Sequence, residues 1–450
     1  MATSIVILAA GEGRRMRSKR PKVLQPLGEG TLLDHVLQAA AAASPAQLIV
    51  VVGHQAQQVQ AAYPALNCEW VHQPRQQGTA DALACALPAI PADHGVVVLY
   101  GDVPLLTPDT VRRLADRAQQ AVVLATTQLA DPTGYGRIVR DDAGELLEVV
   151  EERDATEAQR RLCEVNTGML AAPARWLRAL LPQVDCDNAQ REYYLPAVLP
   201  LARQAGHPLV GIAIDEEEAA GANDRAQLAG LEARLRRRRV KALLQAGVTV
   251  RDPARLDVRG NVVCEADVEL DVGVVLEGEV ELGADVHVGA HCILRNCRIG
   301  PNARIEPHSL IDGAVIGAGC SVGPYARLRP GTRLAERARV GNFVEVKAAG
   351  IGTGSKVNHL SYIGDAELGA GVNVGAGTIT CNYDGRAKHR TEIGDGAFVG
   401  SNTTLVAPVS VGAQAVVGAA TLLRHDAPAA GLTFTAVEQR TIPDWSRADD

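Results

Sequence analysis

Beyond about residue 250 an aliphatic side chain recurs at every sixth position, often with glycine after it. The runs are Leu270, Leu276, Leu282, Val288 and Leu294; Ile316, Val322, Leu328, Leu334 and Val340; and Ile393, Val399, Leu405, Val411 and Val417. A six-residue period fits neither a helix of 3.6 residues per turn nor a hairpin meander. It fits a parallel β-helix, in which three flat faces of six residues make one coil and each aliphatic residue stacks on its counterpart a coil away. Glycine or asparagine after the aliphatic residue lets the backbone turn the corner. Composition agrees: with 44 glycines and 3% aromatic residues, the interior must be built from Ala, Val, Leu and Ile. The period slips at Leu294 to Ile299, Asn342 to Gly350 and Thr380 to Arg390. A loop thrown out from a corner is the expected way to absorb each slip, and such loops are where binding groups collect.

Residues 5 to about 225 have a different texture. "SIVILAA" (4–10), "QLIVVVG" (47–53) and "GVVVLYGD" (95–102) read as buried parallel strands, with the helical "TLLDHVLQAAAAA" and "HQAQQVQAAY" between them. That alternation predicts a doubly wound α/β domain whose function gathers beyond the carboxyl ends of its strands. The chain of 450 residues thus divides into an α/β domain (1–224), a linking helix (225–247) and a β-helix with a C-terminal tail (248–450). The basic run Arg236 to Arg239 is read as the solvated face of that helix, because no aromatic residues interleave with it. A net charge of −7 argues against nucleic acid or an anionic membrane as partner, so an anionic substrate must meet local positive charge. Nine cysteines scattered singly, without a C-x-x-C pair, read as reduced and mostly buried residues of a cytoplasmic protein. The opening "MATSIVILAAG" has no basic n-region, and its apolar run is too short for a membrane span.

Two constellations carry chemistry. In "LAAGEGRRMRSKRPKVL" (8–24) a glycine-rich turn follows the first strand and aims backbone N–H groups at an oxygen-rich group. Arg15 and Lys22, the latter stiffened by Pro21, can offset charge that builds on a transferring phosphoryl-type group. "QPRQQGTADAL" (73–83) offers Gln73, Gly78 and Thr79 to a base edge, and Asp102 ends a hydrophobic strand where a lone carboxylate would be costly. Mg2+ with phosphate oxygens meets that need. In the β-helix, "ARLRPG" (326–331), "GNFVEVK" (341–347) and "SKVNHLSYIGD" (355–365) supply Arg329, Lys347, His359 and Tyr362. Arg329 and Lys347 lie eighteen residues apart, so they stack on one face as a phosphate clamp. His359 is a general base by residue type. It is twelve residues beyond Lys347, nominally on another face, so either the loop between Asn342 and Gly350 or a shared corner must bring it toward the clamp.

Over nearly its full length the chain resembles the bacterial bifunctional N-acetylglucosamine-1-phosphate uridyltransferases/glucosamine-1-phosphate N-acetyltransferases. The resemblance implies an α/β doubly wound nucleotidyltransferase domain followed by a left-handed parallel β-helix of hexapeptide repeats. It implies that UTP and the sugar nucleotide are held by Leu8, Ala9, Gly11, Lys22, Gln73, Gly78, Thr79, Tyr100, Gly101 and Asp102. The sugar meets Gly136 of "PTGYGR", Glu151 of "VVEERDA" and Asn166 of "EVNTGML", beside "NAQREYYLPAVLP" (188–200). Asp102 and Asn223 hold Mg2+, and Arg15 and Lys22 act on the transferring group. In the other half, Arg329, Lys347, Tyr362 and Asn373 contact glucosamine 1-phosphate and His359 is the base. Ala376, Asn382, Tyr383, Ser401 and Ala419 contact acetyl-CoA. The resemblance also implies a homotrimer whose acetyl-CoA channel lies between neighbouring chains. One position departs from the family pattern: Ala436 stands where an arginine of the coenzyme site is usual, with Arg440 four residues later.

Two other readings stay open on the residues alone. A pyrophosphorylase making an ADP- or dTDP-linked glucose with a regulatory β-helix needs no group like His359, Lys347, Arg329 and Tyr362. A scaffold whose solenoid only docks partners leaves the glycine-arginine turn and Asp102 without a role.

Overall fold

A computed structural model describes residues 2–188, 190–436 and 438–446. The chain forms two compact units, Met1–Leu235 and Arg236–Asp450.

In the first unit the near-continuous aliphatic runs become the central strands of one nine-stranded sheet. Its strands are β1 (Thr3–Ala9), β2 (Gln47–Val52), β3 (Glu69–His72), β4 (Gly95–Tyr100), β5 (Val122–Gln128), β6 (Arg137–Arg140), β7 (Leu146–Val150), β8 (Glu164–Pro173) and β9 (Leu209–Ala213). The spatial order is β9-β5-β8-β4-β1-β2-β3, with the hairpin β6-β7 attached to β8. β1 lies parallel between β2 and β4, while β8 runs antiparallel to both β4 and β5. Side chains of β1 alternate between two buried clusters, Val6 and Leu8 on one face, Ile5 and Ile7 on the other, as helices on both faces require. The open ends of β1 and β4 therefore point the glycine-arginine turn and Asp102 into the same region.

The second unit is a parallel β-helix with three faces. The first carries rungs such as Leu270, Val288, Ile305, Val322, Val340, Val357, Val374, Val399 and Val417, each paired in register with the next. The second carries Leu276, Leu294, Ile311, Leu328, Val346 and Ile363, and the third Leu282, Ile299, Ile316, Leu334, Ile351, Leu368 and Ile393. These side chains fill one continuous core.

Only one of the three slips is a loop. Around Leu294 to Ile299 the strand Ile293–Ile299 stays unbroken, and the coil shortens by one residue at Asn296, which takes a φ of 44°. Between Asn342 and Gly350 the corner at Ala348, φ 45°, again drops one residue: Leu328 pairs with Val346, eighteen on, but Leu334 pairs with Ile351, seventeen on. The third slip is an insertion, since Leu368 pairs with Ile393, twenty-five on. Residues 382–390 leave the coil there, tied by a bridge between Tyr383 and Lys388. Asp384 accepts from the amides of Ala387 and Arg386 and from His389 Nε2, at 2.7, 2.8 and 2.7 Å. Those contacts hold its carboxyl well below the usual carboxylate range.

The helix Arg225–Gln245 is no free linker. Leu228, Leu231 and Leu235 pack with Met16, Leu27 and Leu32 of the first unit, whereas Val240 and Leu243 belong to the β-helix core. Within the basic run, Arg237 and Arg238 are exposed and Arg239 donates to the carbonyl of Val258 at 3.0 Å. The cysteines are free, but among them only Cys292, Cys297 and Cys320 are buried; the others are half-buried, and Cys163 is exposed. Among the described residues no helix is long and apolar enough to cross a membrane.

Candidate active sites

After β1 the backbone must turn sharply without closing the space above the sheet. Gly13 makes the turn with φ 63°, and a Cβ there would lie 2.6 Å from Lys22 Cβ, so this position excludes a side chain. Gly11 has open space on its Cα and is exposed, so its backbone is left accessible. Leu8, Ala9, Gly11, Lys22, Gln73, Gly78, Thr79, Tyr100 and Asp102 line one cleft of about 340 Å³, together with Gln76 and Glu192. Gly101 packs beneath it, against Val23 and Ala9. Gln73 is buried, and its amide donates to the Gly78 carbonyl at 3.2 Å and to Asp81 at 2.7 Å, which fixes the orientation of the amide. Thr79 starts the helix Thr79–Ala86 and its hydroxyl accepts from the Leu195 amide, so "EYYLP" is fastened to this wall. Ala189 of the same segment lies outside the described residues.

A second cavity of about 280 Å³ adjoins the first and shares Tyr100 and Asp102 with it. Arg15, Tyr135, Gly221, Asn223 and Gln227 also line it. Asp224 caps the helix Arg225–Gln245 by accepting from the Gln227 amide at 2.8 Å, and this sets Asn223 just outside the helix. Lys22 reaches the junction of the two cavities, where its ammonium is ion-paired with Asp102 and donates to Asn223 Oδ1 at 2.8 Å. A carboxylate and an amide oxygen thus converge on one cation. This donor set fits Mg2+, which takes oxygen ligands and keeps several from water or phosphate. Among the described residues no cluster of three or more His, Cys, Asp or Glu offers a metal site formed by protein alone.

Gly136, Glu151 and Asn166 form a neighbouring group. The Asn166 amide donates to the Gly136 carbonyl at 2.8 Å, and a Cβ on Gly136 would stand 3.1 Å from Glu151 Oε1. Burial pushes the Glu151 carboxyl above its ordinary value, with Asp154 and Glu192 adding to the effect. Burial likewise raises the Tyr100 hydroxyl, with Asp102 and Glu151 adding.

In the β-helix, Arg329 and Lys347 end successive rungs of the second face, in the register their spacing predicts. Arg329 donates to Glu345 at 2.8 Å. Lys388, carried in by the inserted loop, stands beside Lys347 and is the main cause of an ammonium value below the ordinary one, with desolvation and Arg329 adding. Two like charges held together call for an anion. The sequence does not single out Lys388, because only the loop's return path brings it there. Tyr362 opens the next rung, and Asn382 donates to its hydroxyl at 3.5 Å and to Asp365.

His359 ends its strand, Lys356–His359, on the first face, and Leu360, φ 50°, turns the corner toward Tyr362. His359 therefore sits at the corner between the first and second faces, with no inserted loop beside it. The same corner recurs below it. Val357 pairs with Val374, Val399 and Val417 in turn, so His359, Ala376, Ser401 and Ala419 fall in one line, one per coil. Amide donations from Asn402 to Ala376 and from Ala420 to Ser401, both at 2.7 Å, hold that line. Tyr383 is exposed on the inserted loop. Asn373 is not brought to the clamp within one chain: it lies on the first face, between Lys356 and Phe398. Ala436 is exposed, and Val437 beside it lies outside the described residues.

Comparison with known proteins gives three family matches: a MobA-like NTP transferase domain at residues 5–168, the GMPPB C-terminal domain at 258–356, and the hexapeptide repeat of succinyl-transferase at 390–423. The chain is 54% identical to the bifunctional protein GlmU of Alkalilimnicola ehrlichii, over 99% of this chain and 96% of that protein. It is 49% identical to that of Chromobacterium violaceum and 48% identical to that of Acidithiobacillus ferrooxidans, over 99% of this chain and 98% and 99% of theirs. A solved nucleotidyl transferase from Methanothermobacter thermautotroptrophicus aligns with 23% identity and a TM-score of 0.37, covering 51% of this chain and 96% of that one.

Proposed function

The chain belongs to the family of bifunctional GlmU proteins, and from that premise we propose a bifunctional transferase that makes UDP-N-acetylglucosamine in two steps. The β-helix acetylates glucosamine 1-phosphate with acetyl-CoA. The α/β unit then joins the product to UTP with release of pyrophosphate. The proposed setting is a cytoplasmic homotrimer acting on small molecules.

In the first step the sugar lies across the second face. Arg329, Lys347 and Lys388 hold its phosphate at one corner, and His359 meets its amine at the other. Three residues of strand span about 10 Å, which suits a sugar phosphate with its contacts. His359 takes a proton from the amine as nitrogen attacks the thioester carbonyl, and the coenzyme leaves as its thiolate. The corner line of Ala376, Ser401 and Ala419 gives the coenzyme a straight track ending at that base, with Asn382 and Tyr383 beside it.

In the second step UTP occupies the larger cleft, its base toward Gln73, Gly78 and Thr79 and its phosphates over the turn at Gly11. The sugar phosphate occupies the adjoining cavity and the pocket of Gly136, Glu151 and Asn166. Asp102 and Asn223 are the residues that would hold Mg2+, which when bound offsets charge on the phosphates. The sugar phosphate attacks the α-phosphorus directly, so no protein nucleophile is needed. Lys22 and Arg15 stabilise charge on the transferring group, and the walls align the two anions.

The single observation that carries the bifunctional reading is the line from His359 to Ala419, since a solenoid serving only as a scaffold or regulator needs no base at the head of such a track. The test is to supply glucosamine 1-phosphate with acetyl-CoA, and separately N-acetylglucosamine 1-phosphate with UTP, ATP or dTTP. Acetylation and a preference for UTP are expected. His359→Ala should cut acetyl transfer roughly 10²–10⁴-fold and spare uridylyl transfer. Acetylation that survives His359→Ala with its pH dependence intact would remove the base from this mechanism.

A further inference from the structure

We propose that Asn342 is the positioning residue of the acetyl-transfer site: its side-chain oxygen accepts the Nδ1 proton of His359 and leaves Nε2 free to take the proton of the attacking amine. This rests on the reading of His359 as the general base.

The register makes the pair. Asn342 ends the strand Arg339–Asn342, His359 ends the next rung of the same face, and the two are direct partners. Adjacent strands lie about 4.8 Å apart, so side chains projecting from both can share a hydrogen bond, and Asn342 Oδ1 stands 2.8 Å from His359 Nδ1. The backbones are fixed as well. The Leu360 amide donates to the Asn342 carbonyl at 3.1 Å, and the Ser361 hydroxyl and the Gly377 amide donate to the His359 carbonyl at 2.8 and 3.3 Å.

A neutral imidazole has one donor and one acceptor nitrogen, and the partner of one nitrogen decides the role of the other. An amide oxygen can only accept, so the nitrogen it faces must carry the proton. Because His359 is exposed, packing alone does not hold its ring in one orientation. An amide also places no anion on the imidazole, whereas a carboxylate there would favour the protonated ring, which cannot act as a base.

The test uses the full-length protein. Asn342→Leu keeps the volume and removes the acceptor. It should lower kcat for acetyl transfer roughly 10- to 100-fold, the span seen when the hydrogen-bond partner that orients a metal-bound histidine is removed. KM for glucosamine 1-phosphate should stay within about twofold, since no contact to the phosphate is lost. Asn342→Asp restores an acceptor and should recover most of kcat at pH 8.5. Nitrogen-15 spectra of histidine-labelled protein, with the His359 signals identified by their loss in His359→Gln, should report a protonated Nδ1 in the native chain and a shift toward protonated Nε2 in Asn342→Leu. An unchanged kcat or an unchanged tautomer in Asn342→Leu, with His359→Gln inactive, overturns the role of Asn342 and leaves the base intact. Full acetyl transfer in His359→Gln overturns both.

Discussion

Replacing Lys22 by alanine tests the uridylyl-transfer mechanism at its most exposed point. In the resting protein the Lys22 ammonium is shared by Asp102 and Asn223, with the Lys22 and Asp102 side chains 13% and 21% exposed, so solvent screens it only partly. In the proposed mechanism Mg2+ would take the oxygens of Asp102 and Asn223 and leave that charge to face the transferring group. A unit charge about 4 Å from another in a medium of effective dielectric near 20 interacts by about 4 kcal/mol. Only the part gained as charge builds on the phosphoryl oxygens speeds the reaction. Loss of one comparable donor costs about 10²–10³ in kcat, or about 2.7–4 kcal/mol. Lys22→Ala should therefore lower kcat for uridylyl transfer by that span, while KM for UTP changes only a few-fold. Initial rates of pyrophosphate release at saturating UTP and sugar phosphate measure it, with coenzyme thiol release as the internal control. Arg20→Ala, on the exposed part of the same loop, should leave both rates near native. A loss lying wholly in KM would show that Lys22 grips only the ground state, and an equal loss in both reactions would point to misfolding.

Three further outcomes follow from the geometry. Lys388→Ala removes one of three cations at the proposed sugar-phosphate site and should raise KM for glucosamine 1-phosphate about tenfold, more than it lowers kcat, in steady-state acetylation assays. Glu151→Gln should raise Tm at pH 7 and leave it unchanged near pH 4, by scanning calorimetry. The folded carboxyl value is raised, so its relative stabilisation is full below the unfolded value and is lost as pH rises through the folded one. The same substitution should raise KM for N-acetylglucosamine 1-phosphate. Gly260→Ala would bring a Cβ to 2.1 Å from the Gly278 carbonyl oxygen, so it should destabilise the β-helix by roughly 1–3 kcal/mol in denaturant unfolding.

In the α/β half, the sequence discloses groups whose burial is anomalous. Asp102 closes an apolar strand, so some cation had to meet it, but that this is Lys22 in the resting protein depends on a contact across eighty residues. The reversed strand Glu164–Pro173 and the hairpin Arg137–Arg140 with Leu146–Val150 are long-range pairings with no local signal of direction. They also explain why Glu151 is half-buried, which "EERD" read as sequence does not suggest. Asp81, which orients Gln73 from a position eight residues on, looked like any acid in the first turn of a helix.

The solenoid shows the limit more sharply. Its inward positions are chosen by burial and so declare themselves, but its corners are chosen only by whether the backbone can turn. A hexad pattern records coil length modulo six. Losing one residue and gaining five displace the pattern equally, so the slips at Asn296 and Ala348 read as loops although both are tightened corners. Each is held by a non-glycine residue in the left-handed region, which the surrounding coils must stabilise. The insertion at 382–390 is distinguishable, because "NYDGRAKHR" has no Val, Leu or Ile for an inward position. That distinction is functional as well as geometric. A tightened corner keeps its neighbours in register, which is how Asn342 meets His359, whereas an inserted loop can bring a residue such as Lys388 to a partner forty-one positions earlier.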